Sequence, residues 1–200
     1  MKRIFVAVLV CFACATTAYS QVKTQFVEAQ VGQSVMLQGA GYSLFDKSVG
    51  DNNSFGESIH VGWGKTPLRS TGVYVAANTI AMPGHDEQAA VFSLGVETRR
   101  YIEINPLLHF YGGLAIGGTY AANSYDLGGG NKRETRLGLS MEFETGVQRS
   151  FGKHLYAGAS LHLTACQMLS STYKPTAAMP SKGGNFLAGN KIMLTAGYRL

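Results

Sequence analysis

Ser160 and His162 stand two residues apart, so in an extended strand both point the same way, and Glu142 or Glu144 on a neighbouring strand would add an acid. Serine, imidazole and carboxylate are the parts of an activated nucleophile, in which the acid orients the ring that takes the serine proton. The same three residue types also make an inert interior hydrogen-bond chain. Other reactive groups lack the spacing their chemistry needs. Gly64-Lys65-Thr66 ends like a phosphate-binding loop, but Ile59 stands where that loop requires glycine. The five histidines, His60, His85, His109, His154 and His162, have no spacing typical of metal ligands, so neither a metal nor a cofactor is expected. Cys166 is expected to be a small inert filler.

A larger set of ionisable residues shares one property. Glu28, Glu97, Arg99, Arg136, Glu142, Glu144, Lys191 and Arg199 all fall on the polar face of a segment that alternates polar and apolar residues. The clearest such segment runs from Arg136 to Phe151, with Leu137, Leu139, Met141, Phe143, Val147 and Phe151 on one face. A period of two means an extended strand. Similar segments occupy about 25–38, 57–65, 72–82, 88–102, 107–120, 154–169 and 190–200, which makes eight strands. The connections alternate as well. Those at about 39–55, 83–87, 121–132 and 170–186 are the longer ones, and those near 66–71, 103–106 and 152–153 are short.

Residues 1–20 read as a secretory signal peptide: Lys2 and Arg3, an apolar stretch from Ile4 to Ala15, and Ala18-Tyr19-Ser20 as the cleavage site. The barrel domain is then 21–200. Cys11 and Cys14 lie in the leader without the pattern that precedes a lipidated cysteine, and Cys166 is left alone with no intrachain disulfide partner. The formal charge of +5 falls to +3 once Lys2 and Arg3 leave, too mild and dispersed for a nucleic-acid partner. Charged residues make up 14% of the chain, against about 25% in soluble domains.

These features predict an all-β fold, an eight-stranded antiparallel up-and-down transmembrane β-barrel. A soluble secreted barrel that holds a small apolar ligand would show the same period with its faces exchanged. The location of charge favours the membrane form. On the apolar face the charges expected are Arg100 and Arg149, each near a short-turn end, where a long cationic side chain can reach the headgroups. Trp63, Phe151 and Tyr198 stand at the same end, as interface aromatics do. An eight-stranded lumen is just wide enough to be filled by side chains, so the inward charges are expected to pair as a plug with no open channel.

The leader, the eight segments and the terminal Gly197-Tyr198-Arg199-Leu200 resemble the small outer-membrane barrels of the OmpX, OmpA-transmembrane-domain and opacity-protein type. The resemblance implies a bacterial outer-membrane location and a non-enzymatic protein. It also implies contact with outer-membrane lipid and lipopolysaccharide, while the long loops 39–55 and 170–186, with aromatics among polar residues, are where an extracellular or envelope partner is expected. Two departures are visible. The last residue is Leu200 where the family commonly has Phe, and no peptidoglycan-binding domain of the OmpA kind is expected after the barrel. Ser160 and His162 faintly resemble the triad of lipid A deacylases, which are also small barrels. Those enzymes carry the triad on the lipid-facing wall in His-x-Ser order, whereas here the pair faces inward and that order reads His162-Leu163-Thr164.

Overall fold

The computed structural model describes residues 24–36, 43–44, 47–48, 53–66, 68–81, 88–126, 131–171 and 186–200. Eight long strands form it: β1 (Thr24–Met36), β4 (Asn53–Thr66), β5 (Arg69–Ala81), β6 (Gln88–Asn105), β7 (Leu108–Asp126), β8 (Asn131–Phe151), β9 (Leu155–Ser171) and β10 (Phe186–Arg199). Between β1 and β4 a two-residue pair, β2 (Ser43–Leu44) and β3 (Lys47–Ser48), makes a small separate hairpin. The long strands pair antiparallel in the order β1-β10-β9-β8-β7-β6-β5-β4, and β1 then pairs with β4 to close the barrel. Closure leaves no sheet edge, so the backbone satisfies its own hydrogen bonds.

Alternation sorts the side chains as the sequence pattern requires. On β8, Arg136, Ser140, Glu144 and Gln148 are buried, while Leu139, Met141 and Phe143 are 56%, 41% and 51% exposed. The inversion holds around the barrel. Val31, Phe92, Leu94, Ile116, Leu161, Leu163, Ile192 and Leu194 are exposed, and Glu28, His60, Glu97, Arg99, His162 and Lys191 are buried. Polar residues inside and a largely apolar wall outside define a transmembrane barrel rather than a soluble one. No helix among the described residues is long and apolar enough to cross a membrane, a fact that bears only on helices.

Glycine meets two local demands. Gly152 opens the tight turn between β8 and β9 at φ 78°, a left-handed conformation that costs glycine little. Gly197 faces the lumen where a β-carbon would collide with the ring of Tyr156, so its lack of a side chain makes room for that phenol.

Three sequence expectations need adjustment. The connection expected over 121–132 is mostly strand, because pairing of β7 with β8 continues through Tyr125↔Lys132 to Asp126↔Asn131. Polar composition there marks a hairpin that outlasts the apolar belt. In the connection expected over 39–55, β4 already begins at Asn53. The outer wall also carries more charge than Arg100 and Arg149, since alternation and exposure place Glu57 and Arg69 there too. Residues 82–87 and 172–185, most of the connection expected over 39–55, and residues 1–20, expected to be a leader, lie outside the described residues.

Replacing Met141, outward and midway along β8, by arginine should cost about 2–4 kcal/mol when the barrel is refolded in lipid vesicles and unfolded with denaturant. At an exposed site in water the same change would stay within about 0.5 kcal/mol.

Candidate functional site

The predicted inward charges separate into two hydrogen-bonded groups stacked along the lumen. The first centres on Arg99, which is 1% exposed. Its Nη1 donates to Glu28 Oε1 at 2.7 Å, its Nε to Glu144 Oε1, and its Nη2 lies 3.3 Å from Glu97 Oε2. The guanidinium also lies 5.7 Å from the Phe26 ring centroid and 5.3 Å from that of Tyr111. Glu28 accepts from Gln30 Nε2 at 2.7 Å and from the Tyr156 hydroxyl at 2.9 Å. Its two oxygens are thereby engaged by three donors. One cation thus faces three carboxylates contributed by β1, β6 and β8.

The second group is the serine chain. Ser160 Oγ lies 2.7 Å from His162 Nε2, and His162 Nδ1 lies 2.8 Å from Glu142 Oε1. The other Glu142 oxygen accepts from Thr164 Oγ1 and from Lys191 Nζ, each at 2.6 Å. Ser160, His162 and Glu142 therefore connect in the order a nucleophile needs. Catalysis needs space as well. Ser160 and His162 are 5% and 1% exposed. The cavity beside them, lined by Glu142, Thr164, Lys191, Tyr74, Asn78 and Cys166 among others, reaches the acid but not the serine. Its free volume is about 20 Å³, room for about one water and none for an acyl chain. The two groups meet where His162 Nε2 lies 3.9 Å from Glu144 Oε2.

Two members of the predicted set stand apart. Arg199, near the short-turn mouth, has its guanidinium 5.0 Å from the Tyr156 ring centroid and donates to Ser150 Oγ at 3.4 Å. Arg136 is buried towards the opposite end of β8. Among the aromatics, Phe151 and Tyr198 are exposed and Trp63 is half-buried, all close to the short-turn end. Tyr198 stacks on His154 at 5.3 Å between ring centroids.

A second Ser-His-Glu chain escapes the sequence reading. Ser58 Oγ lies 2.8 Å from His60 Nε2, and His60 Nδ1 lies 2.7 Å from Glu97 Oε2. Ser58 Oγ also donates to Gln30 Oε1 at 3.3 Å, so its single proton has a second acceptor besides the ring. The signal was present as a repeat, Ser58-Ile59-His60 and Ser160-Leu161-His162. Two copies of one hydrogen-bonded unit, one starting on β4 and one on β9, point to bracing. Among the described residues no group of His, Cys, Asp and Glu is placed to hold a metal ion.

No family model matches the sequence, and no curated protein matches it. Solved structures share the fold. Neisserial surface protein A is 17% identical with a TM-score of 0.59, covering 88% of this chain and 96% of its own. The attachment invasion locus protein Ail of Yersinia pestis, in complex with the heparin analogue sucrose octasulfate, is 18% identical with a TM-score of 0.56, covering 88% of this chain and 98% of its own. At such identities the likeness is one of fold.

Arg99→Met should destabilise the folded barrel by about 3–5 kcal/mol, read as a lower denaturant midpoint in vesicles, because it leaves buried carboxylates without their cation. Arg99→Met combined with Glu28→Gln, Glu97→Gln and Glu144→Gln should recover part of that loss.

Proposed function

We propose that the chain is an integral outer-membrane protein without enzymatic activity, plugged in the middle and acting through the loops opposite its short turns. In this reading residues 1–20 are a cleaved leader and 21–200 form the barrel. The outer wall contacts membrane lipid and lipopolysaccharide. Loops 39–55 and 170–186, with Tyr42, Phe45, Tyr173 and Phe186 among polar residues, meet a surface or envelope partner. The observation that carries the proposal is the apolar outer wall surrounding a lumen of paired charges. An aqueous pore needs about 16 strands, and here eight enclose filled space.

Heat-modifiable migration of the envelope fraction on a denaturing gel, combined with protease treatment of intact cells, tests the placement. Cleavage within 39–55 or 170–186 that spares the turns near 67–68, 106–107 and 152–154 is expected. Release of the protein by a high-salt or carbonate wash would contradict it.

The hydrogen-bonded order of Ser160, His162 and Glu142 is the observation that favours a lipid A-modifying enzyme as a second reading. Burial of the serine speaks for a brace instead. Ser160→Ala should leave the acylation pattern of the cell's lipid A unchanged, and loss of a deacylated species would restore the enzyme reading.

A further inference from the structure

On the outer wall of the β5–β6 ladder, the rows nearest the short-turn end are polar and those beyond them are apolar. Register sets Arg69 opposite Arg100, then Thr71 opposite Thr98, Val73 opposite Val96, and Val75 opposite Leu94. Alternation turns these residues outward, since Ser70, Gly72 and Tyr74 on β5 and Glu97 and Arg99 on β6 are buried. Both Arg69 and Arg100 are exposed, and neither side chain makes an ion pair or hydrogen bond with a described residue. Arg69 opens β5 and also borders the lumen mouth, where Arg199 adds positive charge rather than relieving it. Glu97 and Glu103, each three residues from Arg100 along β6, have the opposite alternation.

Like charges placed directly opposite across a ladder repel each other. Two guanidinium groups at that spacing also form a fork of donors matched to phosphate oxygens. The next row supplies hydroxyls. Thr98 Oγ1 donates to the Ser70 carbonyl at 3.2 Å and keeps its lone pairs, while the Thr71 hydroxyl is exposed and makes no hydrogen bond with a described residue. Beyond it the wall is Val73, Val96, Val75 and Leu94. Cation, hydroxyl and hydrocarbon follow one another in the order of phosphate, glycerol ester and acyl chain in a glycerophospholipid.

We propose that this column binds one anionic glycerophospholipid of the inner leaflet, its phosphodiester bridging Arg69 and Arg100 and its acyl chain lying along the valines and Leu94. The inference rests on the membrane reading given under Proposed function. Arg149 provides an internal comparison. It also lies on the wall near the short-turn end, but its register partners are Leu108 and Ala157, and its guanidinium lies 5.8 Å from the Phe151 ring centroid, so it has no second cation opposite. A free phosphate ester shares the headgroup chemistry but would gain nothing from the apolar rows.

The test uses the full mature chain folded into phosphatidylcholine nanodiscs containing a minority of phosphatidylglycerol, with bound lipid counted by native mass spectrometry. The wild type should retain one phosphatidylglycerol about tenfold above its share of the mixture. Arg69→Gln combined with Arg100→Gln should abolish that preference, and Arg149→Gln should keep it. Equal retention by the wild type and the double variant would overturn the proposal. Displacement of the lipid by excess glycerol phosphate would also overturn it and reassign the site to a free phosphate ester. Heat-modifiable migration is read on the same samples. A chain that does not fold into nanodiscs overturns the membrane reading and the lipid site together, whereas a folded barrel without the preference overturns the lipid site alone.

Discussion

A wall in contact with hydrocarbon offers no hydrogen bonds, and every other feature of the molecule answers to that constraint. Backbone groups must be satisfied within the ladder, which is why the eight long strands close on themselves through the β1–β10 and β1–β4 pairings. Ionised side chains must turn towards the axis. A lumen of this size has little water to offer them, so they must find one another.

The lumen meets that demand with an uneven set of charges. Glu28, Glu97 and Glu144 surround one guanidinium, Glu142 pairs with Lys191, and His60 and His162 each place a ring nitrogen within 2.8 Å of a carboxylate. Aromatic faces of Phe26 and Tyr111 complete the surroundings of Arg99. These contacts join β1, β4, β6, β8, β9 and β10 across the axis, so the plug ties together strands that the ladder connects only to their neighbours. In the proposed reading, bracing of this kind accounts for both Ser-His-Glu chains.

Strand number, barrel closure and inside-outside assignment were legible because each depends on alternation, and Leu137 to Phe151 displays it over many residues. The charged members of the plug were legible for the same reason: Glu28, Arg99 and Glu142 sit on the polar parity of their strands. The pairing among them was not. Which carboxylate meets Arg99 depends on register and on side-chain reach across the axis, and neither leaves a local mark in sequence. The Ser58–His60–Glu97 chain was missed because β5 separates the histidine's strand from that of its acid. Strand ends were misread around 121–132, where polar residues continue the β7–β8 ladder after the apolar belt has ended. Arg100 was legible as an outward charge, whereas Arg69 fell within the turn expected near 66–71. Only the register of the barrel puts them face to face.

The most direct measurement of the central claim is lipid quenching along β8. Single cysteines are placed in turn at residues 139 to 144 of a Cys166→Ser chain, labelled with a fluorophore, and the barrel is refolded in vesicles of brominated lipid. The account predicts quenching at Leu139, Met141 and Phe143, and little at Ser140, Glu142 and Glu144. Uniform quenching along the segment, or strong quenching on the even positions alone, would contradict it.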